Sequence, residues 1–170
     1  MNAAREKTVT MQLRTLFVPM LFAASVVLAD AAFAAPLSDT DRAITQQLHR
    51  YEQGLNASDT NAIMGLYDDA PVVMAQYAPP AVGREAVRDA YTHAFSAVRL
   101  NVRFSIDEIK PLSPDWAFAR TRSTGTIETL TGKHSTQPEA NQELFILHRG
   151  ADGIWRIARY GFSSTNPPAV

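Results

Sequence analysis

The chain has 170 residues, of which 46% are hydrophobic and 19% charged, and its formal net charge is −1 at pH 7. This composition is typical of one soluble globular domain, and without a Lys/Arg cluster the chain lacks the basic surface that nucleic-acid binders carry. The sequence contains no cysteine, which excludes disulfides, thiolate metal sites, a cysteine nucleophile and lipid attachment at a cysteine.

The first 34 residues differ from the rest and predict a secretory signal peptide over 1–34. Basic residues precede an uncharged run at 16–29 and a small-x-small cleavage sequence at 32–34, which is the pattern of a cleavable leader. A membrane anchor is the alternative, but the run contains Pro19 and is shorter than the roughly 20 residues that span a bilayer. We therefore expect a secreted or periplasmic protein, free of the membrane after cleavage, with one mature domain over 35–170.

Helical patterns dominate the next part of the chain. Apolar residues at spacings of four, three and four predict a first helix over 39–56. Asp59 is a candidate N-cap for a short second helix, which we expect to end at Asp68 and Asp69. A third apolar stripe predicts a helix over 84–98.

Strand patterns dominate the rest. A short strand is predicted at 71–76, followed by an irregular loop at 77–83 that contains two prolines and a glycine. Apolar residues alternate with polar ones over 100–106, which predicts a strand with one solvated face, and a further strand is predicted over 116–129. The polar stretch 131–140 is predicted to be a loop.

A β-hairpin of two long strands is predicted over 141–163, with β-forming runs at 143–149 and 154–160 and a Gly-Ala-Asp-Gly turn at 150–153. Strand residues alternate between faces, so each strand presents every second residue to the same side. The residues expected on these two faces are Glu143, Phe145 and Leu147 on one strand and Ala158, Tyr160 and Phe162 on the other. A carboxylate is therefore expected among aromatic rings.

Helices followed by a run of strands predict an α+β fold, in which three N-terminal helices pack on one face of a curved antiparallel sheet. Four short motifs occur in this order along the chain: Arg50-Tyr51-x3-Leu55-Asn56-Ala57-x-Asp59, Ile63-x2-Leu66-Tyr67, Gly83-x3-Val87-Arg88-x2-Tyr91 and Asp152-Gly153-x-Trp155-Arg156-Ile157-Ala158. With them, the chain resembles the nuclear transport factor 2-like superfamily, in particular its SnoaL-like and ketosteroid-isomerase-like branch, over most of residues 39–165. The resemblance implies a cone-shaped half-barrel around the helices, with a small-molecule cavity inside.

The same resemblance implies roles for individual residues. Tyr51 falls where ketosteroid isomerases carry an oxyanion-hole tyrosine, and Glu143 falls where they carry a second, protonated acid. Their proton-shuttling carboxylate aligns with Met74, and a thioether cannot abstract a proton. His93, on the third predicted helix, is a candidate to move the proton in its place; the alternative is a helix histidine with a satisfied hydrogen bond.

Two arginines leave two interpretations open. Arg120 and Arg122 share a strand face with Phe118, and the resemblance points this face into the cavity, where a buried cation requires an anion. That anion is either Glu143, in a structural ion pair, or a ligand carboxylate held in a bidentate fork. Alternatively, both arginines project into solvent. The residues predicted to line a ligand site are Met74, Phe118, Arg120, Arg122, Phe145, Tyr160 and Phe162.

Three functions remain in competition on this basis. The first is an exported, dimeric domain that binds a small apolar or carboxylate-bearing molecule. The second is an isomerase, polyketide-cyclase-like or hydratase-type enzyme, in which Tyr51 and Glu143 polarise a substrate carbonyl. The third is a non-catalytic dimerisation or accessory domain. No His-x3-His or Glu-x2-His pair supports a metal site, so no metal and no cofactor are predicted. An open cavity of a few hundred Å³ would favour the first two functions.

Overall fold

The computed structural model describes residues 38–166, so the predicted signal peptide at 1–34 lies outside the described residues. The described residues form three helices, Asp39–Asn56 (α1), Thr60–Met64 (α2) and Arg84–Ala97 (α3). They also form six strands, Tyr67–Met74 (β1), Ala81–Val82 (β2), Val98–Pro111 (β3), Trp116–Thr129 (β4), Ser135–Arg149 (β5) and Trp155–Ser164 (β6). The α+β architecture predicted from the sequence is confirmed.

Both N-terminal helices begin at side-chain caps. The Ser38 hydroxyl accepts a hydrogen bond from the Asp41 amide, and the Asp41 carboxylate accepts one from the Ser38 amide, at 3.0 and 3.2 Å. This capping box satisfies amides that have no partner within the first turn of the helix. Asp59 caps α2 in the same manner through the amide of Ala62. The predicted bounds of α1 are confirmed.

The second helix ends earlier than predicted. It ends at Met64 with Gly65 as its C-cap, and Asp68 and Asp69 lie in β1 rather than at a helix end. The reason is pairing with a distant strand, because the amide of Ile157 donates to the Leu66 carbonyl at 2.9 Å. Tertiary pairing therefore overrides the local helical pattern.

The sheet is mixed rather than wholly antiparallel. Its strand order is β2-β1-β6-β5-β4-β3, and it is not closed into a barrel. β1 runs parallel to β6, whereas all other neighbours are antiparallel. The sequence predicted an antiparallel sheet because strands joined by short turns must run antiparallel. This constraint does not apply to strands that are distant along the chain. β1 and β6 are the first and the last strand along the chain, so no short turn joins them.

Two predicted loops contribute strands. The loop at 77–83 contains β2, whose Val82 pairs with Val72. The predicted loop at 131–140 is a strand from Ser135 onward. Ser135 pairs with Thr129, and the pairing continues to Ala140, which pairs with Thr124 of β4. This extension of β5 carries polar residues onto the sheet face that the helices cover.

α1 also protects an exposed edge of the sheet. The Asn56 amide group donates to the Val102 carbonyl and accepts from the Val102 amide, both at 2.8 Å, and Glu52 accepts from the Phe104 amide at 2.7 Å. Side chains of the helix thus replace the missing neighbour of β3, which satisfies backbone groups that an edge strand leaves unpaired. Among the described residues, no helix is both long and apolar enough to cross a membrane.

Candidate functional site

A cavity of about 210 Å³ lies between the helices and the inner face of the sheet. Most of its wall is apolar, and six aromatic side chains contribute to it, namely Tyr51, Tyr91, Phe95, Phe104, Tyr160 and Phe162. Its polar groups come mainly from two neighbouring strands, as Ser123 of β4 and Glu139, Asn141 and Glu143 of β5. The cavity therefore has an aromatic lining and one small group of polar side chains.

The polar group is built by the alternation of residues along β5. Because side chains alternate between faces, Glu139, Asn141 and Glu143 all point to the helices. The Asn141 amide donates to the Glu139 carboxylate at 2.8 Å, and the buried Thr121 hydroxyl donates to Glu143 Oε2 at 2.5 Å. Two buried acceptors, Asn141 Oδ1 and Glu143 Oε1, have no partner. They leave hydrogen-bonding capacity unused at this end of the cavity.

The environment of Glu143 favours its protonated form. The side chain is only 3% exposed, and burial raises its pKa above the ordinary value. Hydrogen bonds from Ser123 and Thr121 lower the pKa in part, whereas the carboxylates of Asp107 and Glu139 raise it further. The carboxyl therefore holds a proton to higher pH than an exposed glutamate does.

Replacing Glu143 by glutamine is expected to stabilise the protein most at high pH. Since the folded-state pKa of Glu143 lies above its ordinary value of 4.5, the parent gains stability from the protonated carboxyl below that pH and loses it as the pH rises through the folded-state pKa. In urea denaturation, the unfolding free energy of the variant should rise relative to that of the parent between pH 4 and pH 8, because only the parent ionises a buried carboxyl in that range. An exposed carboxylate, Glu85, provides the control Glu85→Gln. Equal differences at both pH values would contradict the assignment.

Four buried tyrosines cluster at the cavity, and hydrogen bonds join three of them. The hydroxyl oxygens of Tyr51 and Tyr91 are 2.5 Å apart, and those of Tyr91 and Tyr67 are 2.8 Å apart. Burial raises the pKa of Tyr91 to about 12 and raises those of Tyr51, Tyr67 and Tyr160 well above 10. All four are neutral hydrogen-bonding groups at physiological pH.

The structure brings some of the predicted site residues together. Tyr51, Glu143, Tyr160 and Phe162 all line the cavity. Phe145 lies behind this wall, fully buried, with its ring stacked on Tyr160 at a centroid distance of 4.5 Å. The cavity thus contains the predicted carboxylate among aromatic rings.

Other predicted residues lie elsewhere. His93 is exposed on α3 and does not line the cavity. Met74 is 45% exposed and faces an open groove on the outer side of the sheet, whereas Val73 and Ala75 form the cavity wall at this strand. Alternation along the strand explains the difference, because a shift of one residue moves a side chain to the other face. Neither Val73 nor Ala75 can act as a base.

The two arginines also lie on the outer face, where Phe118 is half-buried. Arg120 and Arg122 both donate to the Asp107 carboxylate, at 2.9 and 2.8 Å, and both are more than half exposed. Their guanidinium groups therefore pair with Asp107 on β3 and not with Glu143. This result favours the solvent-exposed interpretation over a buried anion site.

Several cavity residues were missed by the sequence analysis. Glu139 fell in a predicted loop. Asn141 begins the predicted hairpin, and the same alternation that selected Glu143 would have selected it. Tyr91 belonged to a helical stripe and to a family motif without being assigned a role. Within residues 38–166, no group of three His, Asp or Glu side chains is placed to hold a metal ion.

The sequence and the fold are similar to those of known proteins. The profile of the SnoaL-like domain family matches residues 48–160. A ketosteroid isomerase-like protein from Erwinia carotovora atroseptica SCRI1043 is 32% identical, with a TM-score of 0.72 over 77% of this chain and 100% of its own. No curated protein sequence matches the chain.

Two more distant structures share the fold. A conserved protein from Planctomyces limnophilus DSM 3776 is 20% identical, with a TM-score of 0.65 over 74% of this chain and 97% of its own. A nuclear transport factor 2-like superfamily protein from Salmonella enterica serovar Typhimurium LT2 is 16% identical, with the same TM-score of 0.65 over 76% of this chain and 93% of its own. At these identities the likeness concerns the fold alone.

Proposed function

The chain belongs to the SnoaL-like domain family, and from this premise we propose that it is an exported protein that binds a small molecule in the cavity between its helices and its sheet. The observation that carries the proposal is the pair of buried, unpartnered acceptors on Asn141 and Glu143 at the polar end of that cavity. Buried polar atoms in folded proteins nearly always have a partner. A ligand with hydrogen-bond donors would supply it.

The size of the cavity limits the ligand. Its volume of about 210 Å³ exceeds the roughly 150 Å³ of an apolar cavity that accepts benzene and falls below the roughly 300 Å³ at which pockets for drug-sized ligands begin. The ligand is therefore a molecule with one ring, or an open chain of similar volume, and a short polar substituent. The aromatic wall contacts the ring, and the acceptors on β5 contact the substituent.

Native mass spectrometry of the purified protein tests the proposal directly. We expect a chain that begins near residue 35, which reports export and cleavage, together with a small-molecule adduct. Ala94, on α3, lines the cavity, so Ala94→Phe is expected to fill it and remove the adduct. Ala86 is exposed on the same helix, and Ala86→Phe provides the matched control. An adduct that survives Ala94→Phe would place the ligand elsewhere.

A catalytic role is a second candidate, and the environment of Glu143 favours it. A protonated carboxyl can donate a hydrogen bond to a carbonyl oxygen, as an isomerase, cyclase or hydratase would require. A base is also required, and Glu139 is the second carboxylate among the described residues that line the cavity. Proton exchange next to the carbonyl of cyclohexanone in D₂O, followed by NMR, distinguishes the candidates. If the protein does not accelerate exchange, this enzymatic role is excluded for ketones of that size.

The outer face of the sheet supports the proposal of a homodimer. Leu144 is 48% exposed, Met74 is 45% exposed, and Phe118 and Ile146 are half-buried on the same face. Apolar residues grouped in this way are uncommon on monomers and are typical of protein interfaces. We propose that a second copy of the chain covers them. The native mass spectrum gives the mass of the assembly, and a monomer at micromolar concentration would contradict this part of the proposal.

A further inference from the structure

The charge of the cavity restricts the chemistry of its ligand. The charged side chains that line it are the carboxylates of Glu139 and Glu143, and no Lys, Arg or His of residues 38–166 lines it. Arg120 and Arg122 of β4 pair with Asp107 on the other face of the sheet. A ligand carboxylate would therefore face two protein carboxylates without a cation between them.

The hydrogen-bond pattern specifies donors on the ligand. Most of the protein's donors at this wall already have acceptors, because Thr121 donates to Glu143 Oε2 and the Asn141 amide donates to Glu139 and to Ser123 Oγ. The Ser123 hydroxyl is the remaining donor beside the Glu143 carboxyl. This leaves Glu143 Oε1 and Asn141 Oδ1 as two acceptors on the same sheet face, two residues apart along β5. A buried acceptor without a partner costs about 1–3 kcal/mol, so a ligand group with two or more donors fits best.

The aromatic wall adds an attraction for positive charge. The rings of Tyr160 and Phe162 stack at a centroid distance of 5.5 Å, and both line the cavity next to Glu143. Tyr51 and Phe104 complete this side, with their ring centroids 5.9 Å apart. Aromatic faces attract cations, and the attraction grows when water is excluded.

We propose that the ligand of this cavity is a small organic amine in its ammonium form, whose N–H groups donate to Glu143 Oε1 and Asn141 Oδ1 while its ring or chain contacts the aromatic wall. The inference rests on the proposed function, since it names the ligand class of the same cavity. A neutral alcohol has a single donor for the two acceptors, and a carboxylate has none. An ammonium has three donors and the complementary charge.

Binding of an ammonium is coupled to ionisation of Glu143. The groups that share the cavity with Glu143 supply no cation: they are Tyr51 on α1, Tyr91 on α3, Ser123 on β4, Glu139 and Asn141 on β5, and Tyr160 on β6. Thr121 of β4 donates to Glu143 directly. On the outer face, Arg120 pairs with Asp107, and Arg159 donates to the carbonyls of Ala70 and Ala158. The affinity for an amine should therefore rise with pH as Glu143 loses its proton. A carbonyl ligand held by the protonated carboxyl would show the opposite dependence.

Calorimetric titration with three compounds of equal size tests the inference. Benzylamine, benzyl alcohol and benzoate carry charges of about +1, 0 and −1 at pH 7.5 on the same ring. We expect benzylamine to bind at least tenfold more tightly than benzyl alcohol, and benzoate to give no saturable heat. Glu143→Gln should weaken benzylamine at least tenfold and change benzyl alcohol little. The control, Glu85→Gln, removes an exposed carboxylate from α3 and should change neither.

The comparison among ligands on the unaltered protein keeps the test independent of whether any variant folds. Benzyl alcohol or benzoate binding as tightly as benzylamine would overturn the amine inference and leave small-molecule binding in place. Affinity for benzylamine that falls between pH 5 and pH 7.5 would also overturn it. If none of the three binds, the amine inference fails for this cavity, and the adduct test with Ala94→Phe decides separately whether the cavity binds any ligand.

Discussion

Replacement of Gly125 by alanine is expected to destabilise the protein by about 3 kcal/mol, the upper part of the range for inserting atoms into a closely packed region. A Cβ atom at this position would lie 2.0 Å from the Asn101 carbonyl oxygen and 2.8 Å from Val102 Cα. Both contacts are with the backbone of β3, which is paired with β4 at this point. No side-chain rotation relieves them, so the two strands must separate locally.

The measurement is urea denaturation of Gly125→Ala beside Gly65→Ala. Gly65 has a helical φ of −68°, and its added Cβ would come no closer than 3.3 Å to another atom. Alanine there should change the unfolding free energy by less than about 1 kcal/mol. Similar losses for both variants would show that the close approach of β3 and β4 is not what requires glycine. Because Ile127, two residues further along β4, lines the cavity, Gly125→Ala should also weaken ligand binding.

Local patterns predicted the elements whose signals are contained within a few residues. The first helix, 39–56, has a capping box and an apolar stripe in its own sequence, and both appear in the structure. The strand at 116–129 was also predicted with its observed bounds. The resemblance to the nuclear transport factor 2-like superfamily, carried by four short motifs, is confirmed by the family match and the related structures.

Elements that depend on distant partners were not predictable in this way. The parallel pairing of β1 with β6 extends β1 back to Tyr67, and nothing near Tyr67 in the sequence indicates this. In the same way, the polar residues from Ser135 become a strand because Thr129 and its neighbours offer backbone partners. Pairing of backbone groups does not depend on the polarity of the side chains, so a polar stretch can complete a sheet.

In the candidate site, too, local patterns predicted some residues, whereas others depended on partners that are distant in the chain. Alternation along one strand was sufficient to place Glu143 and, on the neighbouring strand, Tyr160 in a shared environment. The face of Arg120 was not determined by alternation alone, because it also depends on the register of β4 against β5, in which Thr121 lies opposite Glu143. Met74 was assigned to the cavity by the resemblance, whereas in the structure it lines the outer groove and its neighbours Val73 and Ala75 line the cavity. A one-residue shift in a strand reverses the face.

Truncation of Tyr51 to alanine is expected to destabilise the protein by about 4 kcal/mol, as for other large aromatic residues in cores. Tyr51 is fully buried, and its ring contacts those of Phe145 and Tyr160 at centroid distances of 5.4 and 5.3 Å. Tyr51→Phe keeps the ring and removes only the hydroxyl, so it should cost about 1 kcal/mol. Tyr77 is 96% exposed, and Tyr77→Ala is the control for which denaturation should show little change.

The same pair of variants separates a structural tyrosine from a ligand-binding one. The Tyr51 hydroxyl already has a partner in Tyr91 at 2.5 Å, whereas Glu143 Oε1 has none. Tyr51→Phe should therefore change the affinity for benzylamine less than threefold, while Glu143→Gln changes it at least tenfold. A tenfold loss in Tyr51→Phe, with stability reduced by only about 1 kcal/mol, would show instead that this hydroxyl contacts the ligand. Binding would then depend on the hydrogen-bonded tyrosines of the cavity wall as well as on Glu143.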